Sequence, residues 1–218
     1  MSPTPNAPRR LTRTTLLEGV AAVTGSDDAL ASVVDRYGPP PLWGRRPGFA
    51  ALVRIILEQQ VSLASARATY DRMENALGEI TPERLASVSE ANVRRAGVTR
   101  QKASYSIGLA RQVQEGTIDL RRLGQLADDD VREALMAVRG IGKWTADIYL
   151  LMALGRPDVW PDGDLALETA AQEVLRLRTR PNRERLRRVA RRWHPWRAVA
   201  ARILWHHYLS TRRRTGCD

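Results

Sequence analysis

Residues Leu135–Leu167 read LMAVRGIGKWTADIYLLMALGRPDVWPDGDLAL. Glu133 to Val138 has the spacing of a helix end, with Leu135 and Val138 on one face. Arg139-Gly140-Ile141-Gly142-Lys143 interrupts that pattern, because two glycines in three residues favour a bend. Trp144 to Leu154 resumes it, with Ile148, Leu151 and Met152 at apolar positions. The stretch is therefore expected to form a helical hairpin closed by a glycine turn. At the start of its second helix, unsatisfied N–H groups and the helix dipole attract an anion, and glycine lets a ligand approach the backbone. Lys143 adds a positive charge there. A phosphate suits such a turn, although a lone Gly-x-Gly more often only turns the chain. Beyond the hairpin, Trp160-Pro-Asp-Gly-Asp-Leu-Ala-Leu167 sets Asp162 and Asp164 ahead of another apolar helical run.

The charge balance points the same way. The 218 residues carry 35 Lys+Arg against 24 Asp+Glu, a formal net charge of +11. The excess is concentrated. Between Arg176 and Arg214 stand fourteen arginines, no lysine and one acid, Glu184, which leaves the remainder near neutral. A one-sided basic field binds polyanions through counterion release. A solvated, arginine-rich helix surface is the plainer alternative, since the chain uses only two lysines throughout.

Other classes are excluded. No run of about 18 uncharged apolar residues exists, so no membrane span is expected. Met1 to Arg13, rich in Pro, Thr and Arg, lacks an apolar signal core and reads as a flexible lead-in. The single cysteine, Cys217, excludes an internal disulfide and a four-cysteine iron–sulfur cluster. His194, His206 and His207 have no zinc-like spacing, and His206 and His207 point apart on a helix. A metal is not expected.

Helical periodicity dominates the rest. Asp28 to Tyr37 is a short amphipathic helix stopped by Gly38-Pro-Pro-Pro41. Phe49 to Leu77 is long, with Leu52, Ile55 and Ile56 on one face and a break near Gln59-Gln60-Val61-Ser62. Thr81-Pro82-Glu83 is an N-cap followed by Pro in the first turn. Asn92 to Ala96 and Gln101 to Gln114 flank Gly97, and Thr117 to Leu126 is a connector. Asp128-Asp129-Asp130 opens the first hairpin helix, where acids suit the dipole. Leu165 to Leu177, Arg183 to Trp193 and Pro195 to Thr211 complete an all-α chain without evident repeats.

Three segments together carry a family resemblance. Gly140-Ile-Gly-Lys-Trp-Thr-Ala-Asp147, followed by Trp160 to Leu167, resembles the helix-hairpin-helix and catalytic-aspartate region of the DNA glycosylase superfamily. Phe49 to Ala66, FAALVRIILEQQVSLASA, resembles the opening of the catalytic domain in AlkA-like 3-methyladenine DNA glycosylases. Arg192-Trp-His-Pro-Trp-Arg197, with the later Trp205, resembles that family's Trp-x-Pro-Trp-Arg element. The segments stand in the family's order and span about Phe49 to Tyr208. The longer AlkA members have an extra N-terminal domain, so the resemblance is to a compact bacterial form.

The resemblance implies two helical lobes with a DNA-binding cleft between them. Residues 47–157 would form the central lobe ending in the hairpin, and residues 1–46 with 158–218 the other. It implies a monofunctional glycosylase of base excision repair that flips an alkylated base, of the 3-methyladenine or 7-methylguanine type, and hydrolyses its glycosidic bond. The protein would act on damaged double-stranded DNA as a monomer, in the cytoplasm at the nucleoid and not at a membrane. No cofactor is implied, beyond a monovalent cation held by hairpin carbonyls with a DNA phosphate.

Site roles carry over by position. Asp164 matches the catalytic aspartate, whose charge would stabilise an oxocarbenium-like sugar and orient water. Capping the helix that starts at Leu165 is its alternative role, and Asp162 is its competitor. Trp144 stands where bifunctional relatives carry a Schiff-base lysine. Lys143, one place earlier, is rotated by about 100° on the helix and would face phosphate instead of sugar. Trp144 and Trp205 match pocket tryptophans that would stack on an electron-poor base, with core packing as the alternative. Ile148 stands where longer relatives place a pocket tyrosine, so the pocket would be less aromatic. Gln59 and Gln60 match the loop that fills the gap left by the flipped base, Gln60 at the wedge position, unless both only satisfy backbone groups at a bend. Arg139, Gly140, Ile141, Gly142, Lys143 and Thr145 would bind DNA. Trp193, Trp196 and Arg197 read as structural, Arg197 as a partner for an acid.

Two rivals stay open. A non-catalytic helix-hairpin-helix protein would share charge and hairpin but would not need Asp164 with pocket tryptophans. A glycosylase for uracil, hypoxanthine or 8-oxoguanine would share the fold, though a bifunctional one would need the missing lysine.

Overall fold

Helix caps written into the sequence set the boundaries of most elements. The computed structural model describes residues 10–215, with side chains through residue 212. Among them are twelve α-helices and no strand: α1 Arg13–Thr24, α2 Asp28–Tyr37, α3 Phe49–Glu58, α4 Leu63–Leu77, α5 Pro82–Ser87, α6 Glu90–Arg95, α7 Arg100–Gln114, α8 Asp128–Met136, α9 Lys143–Met152, α10 Leu165–Val174, α11 Arg183–Ala190 and α12 Arg197–Thr215. Short 3₁₀ turns lie at Leu123–Gln125 and Arg191–Trp193. Ser62, Thr81, Ser89, Thr99 and Asn182 each accept a backbone N–H from the first turn they precede. No helix among the described residues is long and apolar enough to cross a membrane.

Two expectations need correction at the N-terminus. Residues 1–9 of the expected lead-in, and Cys217, lie outside the described residues. The remainder of that lead-in is ordered: Leu11 is 3% exposed, and Thr12 caps α1 through a reciprocal pair with Thr15. Helix α1 itself is additional to the expected set. Its buried residues Leu16, Gly19, Val20 and Val23 do have helical spacing, but a glycine among them weakens the apolar signal. The helical run from Phe49 breaks at Gln59–Ser62 as expected, whereas α10 stops at Val174 instead of Leu177.

The chain divides into two units, Arg45–Leu154 and residues 10–44 together with 155–215. Backbone bonds explain these boundaries. Arg45 N–H donates to Met152 O at 2.8 Å, tying the entry of the first unit to its last helix. Leu11 N–H donates to Gly155 O at 2.6 Å, so the residue after Leu154 already belongs with the N-terminal segment.

In the first unit, the core is built from α3, α4, α7 and α9, with Leu52, Ile55, Ile56, Met73, Leu109, Leu150 and Leu151 fully or almost fully buried. Tyr149 is buried too, its hydroxyl accepting the Gly48 N–H at 3.1 Å, and burial pushes the phenol above its usual value.

In the second unit, α12 is buried on all sides over Ala198–Leu204. The run includes Arg202, which donates Nε to Leu42 O at 3.0 Å and Nη1 to Ala198 O at 3.1 Å. Burial lowers its pKa to about 10, which leaves it charged at neutral pH. Asp27 caps α2 and also accepts the Trp193 indole N–H at 2.7 Å.

Candidate active site

The hairpin is supported from three sides within its unit. Gly140 has φ +92°, and a Cβ there would lie 2.1 Å from Tyr105 Cγ, so α7 leaves room only for glycine. Gly142, the N-cap of α9, differs: a Cβ there would meet nothing within 4 Å. No internal crowding calls for glycine at 142. Its open space lies at the helix N-terminus, where backbone N–H groups have no intrahelical acceptor. Arg139 is exposed beside it.

The side chains of the turn are less available than their positions suggest. Ile141 is 4% exposed and Thr145 2%, so both offer a ligand their backbone instead. Lys143 Nζ lies 2.8 Å from Asp147 Oδ2, and Arg132 Nε donates to Asp147 Oδ1 at 2.7 Å. Asp147 is fully buried. Burial alone would lower the Arg132 pKa, but the Asp147 carboxylate holds it above its ordinary value. Lys143, expected to face phosphate, is thus engaged with the hairpin's own second helix.

The two glutamines separate. Gln59 Nε2 donates to Gly140 O and to Thr145 Oγ1, each at 3.0 Å, and so joins the α3–α4 loop to the hairpin. Lys102 Nζ donates to Leu57 O and Gln59 O, each at 2.7 Å, satisfying carbonyls at the end of α3. Burial lowers that ammonium's pKa. Gln60 is exposed and has φ +57°, a left-handed conformation unusual for a residue with a side chain. Lys102, Tyr105 and Arg132 belong to this region although no sequence motif points to them. One signal does exist: the chain's two lysines, Lys102 and Lys143, both bond here.

In the second unit, Asp164 is the N-cap of α10. Its Oδ1 accepts the Leu167 N–H at 2.9 Å and the Trp205 indole N–H from α12 at 3.1 Å. The capping role is therefore real, and the indole adds a second constraint on the carboxylate. Asp164 remains half-buried, whereas Asp162 is 4% exposed. Trp205 is 8% exposed. Asp158 pairs with Arg197 through two bonds of 2.8 and 2.7 Å and meets His194 Nδ1 at 2.6 Å. Burial alone would raise the Asp158 pKa, but hydrogen bonds from Arg197 hold it below the ordinary value. In the first unit, Trp144 is half-buried in the first turn of α9 and Ile148 is buried at 4% exposure. Among the described residues, no group of three or more His, Cys, Asp or Glu could hold a metal ion.

Residues 53–195 match the family model described as HhH-GPD superfamily base excision DNA repair protein. The chain belongs to that superfamily. The matched span holds the α3–α4 loop, the hairpin and Asp164. This HhH-GPD chain is 28% identical over 188 residues to the putative DNA-3-methyladenine glycosylase YfjP of Bacillus subtilis, covering 83% of this chain and 66% of that protein. To DNA-3-methyladenine glycosylase 2 of Escherichia coli it is 29% identical over 177 residues, covering 74% and 60%. The chain thus spans 66% or less of the length of these two curated relatives. The crystal structure of a DNA-3-methyladenine glycosidase from Bacillus halodurans superposes with TM-score 0.72 at 30% identity, covering 89% of this chain and 91% of that one. Schizosaccharomyces pombe 3-methyladenine DNA glycosylase Mag1, in complex with abasic DNA, has the same fold, with TM-score 0.79 at 24% identity and coverages of 86% and 95%.

Proposed function

We propose that the chain is a monofunctional DNA glycosylase that hydrolyses the glycosidic bond of alkylated bases. The observation that carries this reading is the setting of Asp164: a half-buried carboxylate whose Oδ1 is oriented by two neutral donors, in a chain of the base excision repair superfamily. The named glycosylase relatives support the substrate class. In this reaction the C1′–N bond breaks and its electron pair leaves with the base. A water oxygen then bonds to C1′ and gives up its proton. Positive charge builds on the sugar in between, and Asp164 stabilises it electrostatically. Because Asp162 is buried, Asp164 is the better placed of the two to meet a sugar arriving from solvent.

The hairpin would grip phosphate through backbone N–H groups at the start of α9, beside the open space at Gly142. Arg139 supports that grip, while Ile141, Lys143 and Thr145 contribute through the backbone. Gln60 is the wedge, since the Gln59 amide is committed to Gly140 and Thr145. Trp144, half-buried, offers aromatic surface to a base, whereas Trp205 is buried and aims Asp164, and Ile148 is buried within its own unit. Trp144, standing where bifunctional relatives carry a Schiff-base lysine, supports a monofunctional reaction, as does the engagement of Lys143 by Asp147. Two hairpin carbonyls, Val138 O and Gly140 O, accept the Ile141 N–H and the Gln59 amide, and the second lone pair of each would serve a monovalent cation shared with a DNA phosphate. The enzyme acts on duplex DNA as a monomer.

The test is release of free bases from methylated duplex DNA by the wild type and by Asp164→Asn. Release by the wild type alone supports both enzyme and aspartate. Equal release by the variant removes Asp164 from the mechanism. Borohydride trapping of a covalent protein–DNA adduct would contradict a monofunctional reaction. Binding without release from methylated DNA, but with release from a uracil, hypoxanthine or 8-oxoguanine duplex, would change the lesion and keep the chemistry.

A further inference from the structure

Helix α11 presents an unusual surface within the second unit. Its buried residues are Leu186 and Ala190, while Arg183, Arg185, Arg187 and Arg188 are exposed, as is Arg191 just beyond it. At about 100° per residue, Glu184, Arg185 and Arg188 occupy the outward side, Arg187 lies at its edge, and Arg183 falls on the side of Ala190. Nearby cations have acids: Arg180 reaches Glu168 at 3.9 Å and Arg192 reaches Asp27 at 2.7 Å. The five named arginines have no acidic partner among the described residues, and Glu184 forms no ion pair there either. Like charges three and four residues apart on a helix repel, and the usual remedy is an interleaved acid. Glu184, three and four residues before Arg187 and Arg188, is the one acid of α11 and offsets only part of the repulsion, and a polyanion would relieve the rest.

A second observation ties this surface to the candidate catalytic loop. Gly163, immediately before Asp164, has φ +80°, and a Cβ there would lie 3.8 Å from Arg183 Cδ and 4.0 Å from its Nε. The Arg183 side chain therefore runs beside the loop that holds Asp164. We propose that the arginine face of α11 is a second duplex-DNA contact, which binds backbone phosphates irrespective of sequence or lesion. Arg183 takes a phosphate close to the sugar presented to Asp164. This deepens the glycosylase reading and rests on it for the role of Asp164, but not for the polyanion contact.

The test is equilibrium binding to an undamaged duplex across a salt series. The proteins compared are the wild type, Arg183/Arg185/Arg187/Arg188→Gln, the same four changed to Lys, and a charge-matched control at exposed Arg94/Arg111/Arg121/Arg122 changed to Gln. Every phosphate that an arginine no longer neutralises should lower the slope of log K against log salt by about 0.9. The Gln variant should show a slope reduced by several such steps, the Lys variant a slope near wild type, and the control no change. A wild-type slope in the Gln variant, or an equal fall in the control, overturns the proposal. If the fourfold variant does not fold, Arg187/Arg188→Gln reads the same slope with two changes. Should the wild type bind with a steep slope yet release no base, the glycosylase reading falls and the surface stands. Base release by a wild type whose slope the Gln variant keeps has the opposite meaning.

Discussion

The hairpin and the loop beyond it each hold an aspartate, and the two are treated in opposite ways. Asp147 is fully buried and clamped by two cations, Arg132 and Lys143. Asp164 is half-buried, and its Oδ1 accepts from two neutral donors, a backbone amide and an indole. Cations neutralise a carboxylate and commit its charge to structure. Neutral donors fix the direction of an oxygen without cancelling its charge. The comparison teaches that an acid inside the hairpin can be committed to holding its two helices together, while the acid beyond it is aimed through Oδ1 by a helix terminus and an indole.

The largest expected effect separates the two. Asp164→Asn should slow single-turnover base release by about 10³-fold, with an unchanged urea midpoint, because Asn caps helices as well as Asp. Asp147→Asn should do the reverse. Removing one partner from a buried ion pair costs about 3 kcal/mol, read as a lower urea midpoint; an unchanged midpoint would mean Asp147 is not a clamp.

The hairpin's glycines sharpen the contrast further. Gly140→Ala should cost about 2 kcal/mol of stability through the Tyr105 clash and the positive φ. Gly142→Ala should fold normally and bind duplex roughly tenfold more weakly, a difference of about 1.4 kcal/mol. Equal effects at both positions would deny the hairpin its open phosphate site. Trp205→Phe removes one neutral donor, worth about 1 kcal/mol, and should slow excision about fivefold with duplex affinity unchanged.

Acid gives the smallest effect. The folded-state pKa of Asp158 lies below its unfolded value of about 3.9. The stabilisation it brings is present above that value and fades as pH falls through the folded-state one. Thermal unfolding followed between pH 5 and 3 should show this loss, and Arg197→Ala should flatten it.

Much of this was legible locally. Caps at Thr81 and Asp164 and the glycine bend at 140–142 are short-range signals, because each is satisfied within a few residues. Helix α1 was not legible, since its apolar stripe includes Gly19, a glycine that matters only because Trp196 packs on it: a Cβ there would lie 2.6 Å from Trp196 Cε3. The two glutamines were indistinguishable as letters. Only the approach of α3 to the hairpin turned Gln59 inward and left Gln60 exposed.

By itself the sequence determined an all-helical chain, the hairpin, the concentrated arginine charge and the capping place of Asp164 before α10, because periodicity, turn chemistry and motif order are properties of neighbours along the chain. Tertiary structure alone decided which cations, indoles and carboxylates of separate helices meet: Lys102 under the α3 terminus, Trp205 on Asp164 and Arg132 on a buried Asp147. Those pairings depend on how helices far apart in sequence pack, and burial strengthens each polar contact by removing water.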